Sequence, residues 1–203
     1  MAWGKNGTPD TLTGTADQMD ITDLTANKFN TILVGGIGTG DSRLATRVGV
    51  SSADNGANYS ERTSEDGGAD NEGVNRTYFY HLYNGYNLQF TVMYAINISG
   101  SEKLFIANTS QATGAGAGAA MSRTQAVGKW VTTSGQWAKL QMINYGGGDF
   151  LTGSNLSALG GDITPVAQDP PKVQDGAVFY EKDTNKEYIL NNGVWTKLWP
   201  LNI

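Results

Sequence analysis

The residues that could do chemistry are few, and the first candidate is a histidine. His81, in the segment TYFYHLY, is the only histidine of the chain and would have to be the base of a serine, histidine and aspartate triad. No G-x-S-x-G motif accompanies it, and one histidine cannot form a histidine-rich metal site. We therefore expect His81 to be a sheet or interface residue, and we predict no catalytic site around it.

Acidic side chains are the second candidate, for a cation or for glycoside hydrolysis. Asp66, Asp70, Asn71 and Glu72 form an oxygen-rich group, but they lack the spacing of a calcium-binding loop. A glycosidase needs two carboxylates about 5–9 Å apart, a distance that a sequence does not contain. The available glutamates all lie in polar turns or beside Lys or Arg: Glu61, Glu65, Glu102, Glu181 and Glu187. We predict a solvated loop, no metal ion, no cofactor and no enzymatic activity.

Aromatic side chains are the third candidate, for binding sugar rings. The tryptophans of the chain are Trp3, Trp130, Trp137, Trp195 and Trp199. An exposed aromatic face stacks well on the apolar face of a sugar, yet packing in a core or an interface accounts for tryptophans equally well. Both interpretations stay open at the level of the sequence.

The charge of the chain excludes several partners. The 203 residues carry a net charge of −5, the isoelectric point is near 4.8, and no run of Lys or Arg occurs. Nucleic acids and anionic membranes require a basic surface, so neither is an expected partner. No stretch approaches the roughly 18 consecutive apolar residues of a membrane span, so membrane insertion is not expected either.

The composition is typical of a protein that is made and folded in a cytosol. The chain contains no cysteine, so neither a disulfide nor a thiolate site is available. Its first residues, MAWGKNGTPD, lack the basic start and apolar core of a signal peptide. Only 39% of the residues are hydrophobic, but nine Tyr, six Phe and five Trp supply packing anchors, which predicts a folded chain.

Hydrophobic patterning predicts an all-β protein. Segments such as KFNTILVGG, VNRTYFYHLY and WAKLQMINY are rich in β-branched and aromatic residues and are bounded by Gly, Asn or Ser. In NLQFTVMYAINI the even positions from Leu88 to Ile98 are apolar and the odd positions are mostly polar or small, which predicts a half-buried strand. AAMSRTQAVGKW fits a helix or a strand, and its Gly and β-branched residues favour the strand. We predict about thirteen to fifteen strands in an antiparallel β-sandwich or jelly roll.

Three segments interrupt this pattern and divide the chain. Residues 51–75 are long, acidic and Gly-rich, which predicts an exposed loop or hairpin. The run TGAGAGAAM, residues 113–121, is either flexible or a close approach of backbones beside a symmetry axis. The proline-rich stretch ITPVAQDPPKVQD predicts an extended connector. We therefore expect a body over residues 1–162, a linker over 163–175 and a C-terminal unit over 176–203.

The C-terminal unit is predicted to be a three-stranded β-meander. GAVFYEKDTNKEYILNNGVWTKLW, residues 176–199, contains three short strand patterns joined by two tight turns. Three strands are too few to be stable alone, so an apolar face must dock on the body or on a neighbouring subunit. The predicted interface residues are Phe179, Tyr188, Trp195 and Trp199.

Two parts of the chain resemble proteins of tailed bacteriophages. Residues 1–162 resemble a group of β-sandwich virion proteins frequent in marine and environmental phages, through the phrases MAWGKNGTPDTLTGTADQMDITDLTANKFNTIL, YAINISGSEKLFIANT, TGAGAGAAMSRTQAVGKW and GDFLTGSNLSALGGD. The C-terminal segment is similar to the T-D-T-x-x-x-Y…G-x-W β-meanders of phage tail, fibre and other virion proteins. The matching positions are Asp183, Thr184, Tyr188, Gly193 and Trp195.

This resemblance implies a structural protein of the virion that works as a homo-oligomer, most often a trimer, and that has no active site. The expected partners are other copies of the chain and the major capsid or tail proteins, and the expected location is the virion after synthesis in the host cytoplasm. A role in capsid decoration is favoured because the chain lacks coiled-coil heptads and fibrous repeats. The alternative is a tail fibre or tip protein that binds host-surface carbohydrate during host attachment.

Overall fold

A computed structural model describes residues 3–39, 41–81, 88–161 and 174–198. Every regular element in these ranges is a β-strand, which confirms the predicted all-β class. The strands are β1 (Gly4–Lys5), β2 (Asp10–Thr11), β3 (Gln18–Ile21), β4 (Phe29–Ile37), β5 (Leu44–Gly49), β6 (Tyr59–Glu65), β7 (Asn71–Arg76), β8 (Phe79–Tyr80), β9 (Leu88–Ile96), β10 (Lys103–Ala112), β11 (Met121–Trp130), β12 (Lys139–Asn144), β13 (Asn155–Gly161), β14 (Val178–Glu181), β15 (Lys186–Asn191) and β16 (Val194–Leu198). None of the described residues belongs to a helix of the length and hydropathy needed to cross a bilayer.

Two antiparallel sheets form the sandwich of the body. The larger sheet has nine strands in the order β1-β13-β4-β9-β10-β11-β6-β7, with β2 also paired to β13. The smaller sheet has four strands in the order β3-β12-β5-β8. The predicted antiparallel β-sandwich is therefore correct, whereas the finer assignment to a jelly roll stays a prediction.

The hydrophobic core lies between these two sheets. The larger sheet contributes Ile32, Val34, Met93 and Phe105, and the smaller sheet contributes Met19, Leu44, Val48, Leu140 and Met142, all of which are buried in one cluster. The rings of Phe79 and Phe105 stack with centroids 5.3 Å apart and so join β8 of one sheet to β10 of the other. Burial of this kind is the main source of stability for a sandwich.

Strand β9 is half-buried as predicted, but its buried face is the more polar one. Gln89, Thr91, Met93 and Ala95 point into the sandwich and are at most 5% exposed, while the even-numbered set from Leu88 to Tyr94 faces outward or is only partly covered. The same parity continues on β10, where Phe105 is buried and Leu104 is exposed. The larger sheet therefore carries large apolar side chains on both faces.

The inner face of the larger sheet has a block of polar side chains at one end. Thr91 lies opposite Thr109, and Gln89 lies opposite Gln111, in the register of β9 and β10. The Thr91 and Thr109 hydroxyls are hydrogen-bonded at 2.8 Å, and the amide of Gln89 donates to the Ser42 hydroxyl at 3.1 Å. These pairs satisfy part of the polar interior, as buried polar groups require.

The segment AAMSRTQAVGKW contains strand β11, so the preference for a strand over a helix is confirmed. It pairs along its whole length with β10. A Cβ atom at Gly128 would collide with the ring of Phe79, which explains a glycine inside a strand by the close approach of a side chain. The glycine-rich residues 113–120 form the exposed turn between these two strands.

Residues 51–75 include a hairpin, one of the two forms expected for that segment. Strands β6 and β7 pair with a register shift between Tyr59 and Glu61. Asp66 and Gly67 take positive φ angles of 49° and 79° at the start of the turn. The Asp66 carboxylate accepts hydrogen bonds from the Ser122 hydroxyl and the Arg123 backbone, at 3.0 and 2.8 Å, and so fastens the turn to β11.

The chain divides into two compact units, residues 1–163 and 164–203. Within the second unit, β14, β15 and β16 form a three-stranded antiparallel sheet in sequence order, as predicted. Asn192 and Gly193 both have positive φ, which is the backbone of the tight turn that an Asn-Gly pair favours, and the Asp175 carboxylate accepts both of their N–H groups. Of the predicted linker, residues 163–173 lie outside the described residues.

Candidate binding surfaces

Three of the four predicted interface residues come together on one face of the C-terminal sheet. Phe179 on β14 lies directly opposite Tyr188 on β15. Trp195 on β16 lies opposite Leu190, which is two residues after Tyr188, so its side chain is on the same face of the sheet. Ring centroids are 6.3 Å apart for Phe179 and Tyr188 and 6.0 Å apart for Phe179 and Trp195, the latter edge to face. We call these three residues the aromatic cluster. The fourth predicted residue, Trp199, lies outside the described residues.

The aromatic cluster lines an open depression that contains one carboxylate. Phe179, Tyr188, Trp195 and Glu181 surround a volume of about 340 Å³. The Glu181 carboxylate accepts hydrogen bonds from the Thr184 hydroxyl and, at 3.4 Å, from the Tyr188 hydroxyl. Phe179 and Trp195 stay about half exposed. Rigid aromatic faces beside an acceptor suit either an apolar docking contact or a sugar ring with hydroxyl groups at its edge.

The opposite face of the C-terminal sheet is also apolar and exposed. Val178, Tyr180, Val194 and Leu198 lie there, and all are exposed. Leu190 is the one large hydrophobic residue of the described segment 174–198 that is buried. So small a sheet gains little stability from burying apolar surface, because most of that surface is still in water.

A second apolar surface covers the outer face of the nine-stranded sheet, and nothing in the sequence analysis identified it. Leu159, Thr31, Tyr94, Ile106 and Val127 follow one another in register across β13, β4, β9, β10 and β11. Rows on either side add further apolar side chains: Phe29, Ile96 and Leu104 on one side, and Leu33, Val92 and Phe90 on the other. We call this surface, together with Leu88 and Ile37, the outer patch.

The edges of the outer patch differ from its centre. At one edge the indole of Trp3 lies over Gly161, where a Cβ atom would come within 3.5 Å of it, and so extends the apolar surface. At the other edge Arg62 pairs with Glu72 and with Asp70, and Lys129 pairs with Glu102 at 2.8 Å. A shallow depression of about 500 Å³ separates Leu104, Ile106 and Val127 from that charged edge.

His81 lies in the interior and not in a cleft. It follows β8 directly, is completely buried, and its Nε2 atom is 3.0 Å from the Thr46 hydroxyl. Burial lowers the pKa of the imidazole to about 3, so the ring is neutral at physiological pH. No described hydrogen bond reaches its Nδ1 atom. A neutral, enclosed imidazole beside one threonine has the geometry of a packed interior residue.

The acidic residues considered as ligands of a cation or as catalytic carboxylates bind other residues of the chain. Asp66 holds the turn after β6 against β11, and Asp70 pairs with Arg62. Glu61 is 3.4 Å from Arg76, and burial raises the pKa of its carboxyl. Among the described residues, no group of three or more His, Asp or Glu side chains is arranged to hold a metal ion.

The tryptophans divide between the two open interpretations. Trp130 and Trp137 belong to the core of the body, and Trp3 and Trp195 are exposed on the two surfaces described above.

The outer patch could have been found from one sequence signal. KLFIA, residues 103–107, places large apolar residues at both parities, which is the pattern of a strand covered on both faces.

Comparison of the chain with protein-family models, with curated protein sequences and with solved structures finds no match. The two apolar surfaces and the chemistry of their residues are therefore the features that bear on function.

Proposed function

We propose that the protein is a structural component of a bacteriophage virion, a homotrimeric accessory protein that decorates the capsid and has no enzymatic role. The observation that carries the proposal is the C-terminal sheet, which exposes large apolar side chains on both faces. A segment of this kind is stabilised when another protein surface covers it. The resemblance to phage virion proteins supplies the setting in which such a surface is available.

The architecture of the body supports the same proposal. A β-sandwich without cysteine and with few charges is suited to assembly in bacterial cytosol and to later exposure outside the cell. The acidic side chains described above fix a turn or form ion pairs at the surface, and the histidine is packed in the interior. These roles are structural, and they favour a building block over a catalyst.

The test of the proposal is the copy number of this chain in purified particles. Gradient-purified virions are digested, and quantitative peptide mass spectrometry gives the ratio of this chain to the most abundant shell protein. Hundreds of copies per particle are expected for a decoration protein. A handful of copies in multiples of three would place the chain in a tail tip or fibre, and complete absence from particles would contradict the virion proposal.

The role of the aromatic cluster in assembly has its own test. We expect Phe179→Ser combined with Trp195→Ser to lower the mass of the assembled protein in sedimentation, because both side chains are half exposed and ready to be covered by a neighbour. Val50→Ser is the control, since Val50 is an exposed apolar residue that follows β5 and lies outside the C-terminal sheet. An unchanged mass in the double variant would show that this face does not hold subunits together.

The second candidate function is a receptor-binding protein of the tail that holds host-surface carbohydrate. The specific observation in its favour is the depression in which three aromatic rings and the Glu181 carboxylate meet. Sugar rings would stack on Trp195 or Phe179 while their hydroxyls donate to Glu181.

A glycan array with the labelled full chain tests this second function. Saturable binding that Trp195→Ala abolishes and that Trp195→Phe retains in part would support it, because phenylalanine keeps an aromatic face. Val194→Ala, on the opposite face of the sheet, should leave the signal unchanged. If no glycan gives saturable binding, the aromatic cluster is left with the docking role.

A further inference from the structure

We infer that the outer patch of the nine-stranded sheet is an interface with a second copy of this chain. The inference deepens the proposed assembly into homo-oligomers and rests on it. It names a different surface from the aromatic cluster, and it adds a two-fold contact between copies to the proposed trimer.

The size of the outer patch matches one side of a stable protein interface. Six of its large side chains, together with Trp3 at its edge, are each 48–58% exposed: Trp3, Leu88, Phe90, Tyr94, Leu104, Ile106 and Val127. At about 100 Å² of exposed surface each, these residues alone present roughly 700 Å². The largest apolar patch of an ordinary monomer is about 300–600 Å², whereas a standard interface buries about 800 Å² on each partner.

The centre of the outer patch carries no charge. On β13, β4, β9 and β10 every outward position is apolar or neutral polar, for example Ser157, Leu33, Val92 and Asn108 in one row. These four strands carry no outward charge that would attract a nucleic acid, an anionic membrane or a strongly charged protein. Depletion of charge at the centre is the composition of a permanent interface between like subunits.

The charged edge allows two copies to meet without repulsion. Arg62 is already paired with Glu72 and Asp70, and Lys129 is paired with Glu102, so both signs occur together along this edge. When a surface meets its own copy, each group faces the same set of charges, and an edge that carries both signs is compatible with that arrangement. Two exposed sheets also pack well face to face, because their side chains interdigitate at a separation of about 10 Å.

Sedimentation of the full chain over a range of protein concentrations tests the inference. We expect the wild type to contain at least two chains and Ile106→Lys to fall to half that mass or less, because Ile106 lies in the middle row of the outer patch beside Tyr94. Val50→Lys is the matched control, since Val50 is an exposed apolar residue that lies after β5 of the other sheet. Its mass should equal that of the wild type.

Two results would overturn the inference: a wild type that is monomeric at every concentration, or equal masses for Ile106→Lys and the wild type. The absence of cysteine provides a second measurement if the lysine variant does not fold. A nitroxide on Asn108→Cys should be broadened by the label of a neighbouring copy, and one on Ser52→Cys should not. Equal spectra at both sites would also overturn it.

These measurements separate the inference from the proposed function. A monomeric chain that is nevertheless abundant in purified virions would keep the virion role and reject the second copy as the occupant of the outer patch. A chain that pairs through the outer patch but is absent from virions would keep the interface and reject the virion role.

Discussion

The partly buried carboxylate of Asp54 illustrates how single residues hold the loop before β6. Its oxygens accept hydrogen bonds from the Trp130 indole at 2.7 Å, the Gly56 backbone at 2.8 Å and the Asn58 amide at 2.9 Å. Burial acts to raise the pKa of this carboxyl, but those hydrogen bonds outweigh burial and hold the pKa below its usual value. The ionised form is therefore the one that stabilises the fold.

We expect Asp54→Asn to lower the free energy of unfolding at neutral pH by about 1–3 kcal/mol, because an amide nitrogen cannot accept these bonds. The pKa of the Asp54 carboxyl is lower in the folded protein than in the unfolded chain. Its carboxylate therefore stabilises the fold fully at pH values above about 3.9, the ordinary pKa of aspartate, and this stabilisation is lost as the pH falls through the folded pKa. The gap between wild type and variant should therefore close in acid. Urea unfolding at several pH values measures it, and Glu102→Gln, which removes an exposed pair, should cost less than about 1 kcal/mol.

His81 provides a second prediction at this scale. Its folded pKa is about 3, so between pH 3 and about 6.5 the unfolded chain binds a proton that the folded chain does not. Stability should fall with decreasing pH in this window, by up to about 1.4 kcal/mol per pH unit from this group, and His81→Gln should remove that part of the slope. In NMR spectra, a single imidazole that titrates near pH 6.5 in the folded protein would contradict the prediction.

At the scale of the element, strand β9 shows where prediction from sequence succeeded and where it stopped. The alternation from Leu88 to Ile98 correctly predicted an extended, half-buried strand, because side chains alternate between faces whatever the tertiary structure. It did not reveal which face is buried, because that depends on what the rest of the chain offers to cover it. Here Thr91 and Met93 are buried, and Phe90 and Tyr94 are about half exposed.

The hydroxyl pair inside that sheet gives an element-scale prediction. Thr91→Val alone should cost about 1–2 kcal/mol, because it leaves the buried Thr109 hydroxyl without its partner. The double variant with Thr109→Val should recover most of that loss, since two valines fill the same volume and leave no unpaired hydroxyl. A double-mutant cycle by chemical denaturation measures the coupling, and strictly additive single losses would show that the two hydroxyls do not depend on each other.

The C-terminal unit was the element that sequence reasoning described most fully. Its strands, its Asn-Gly turn and the meeting of Phe179, Tyr188 and Trp195 on one face all follow from alternation and turn chemistry over about twenty-five residues. These are local rules, and the register that they set is local too. The exposure of the second face, with Tyr180 and Val194, was not anticipated, because exposure depends on contacts between distant parts of the chain.

For the whole molecule, assembly and stability should be linked. If copies associate through the outer patch, the association binds the folded chain only, and mass action raises the melting temperature with protein concentration. We expect the melting temperature of the wild type to rise over a hundredfold increase in concentration and that of Ile106→Lys to rise less. Differential scanning calorimetry at two or three concentrations provides the measurement, and a constant wild-type melting temperature would contradict the expectation.

The two-sided character of the nine-stranded sheet links the inferred interface to the amount of protein present. If the outer patch is an interface between copies, each central strand belongs to two hydrophobic cores: one closes when the chain folds, and the other closes when the chain meets another copy. The fraction of chains whose outer patch is covered would then rise with the concentration of the chain. At low concentration the apolar side chains of the patch would stay exposed, and an exposed patch of this size is liable to aggregate.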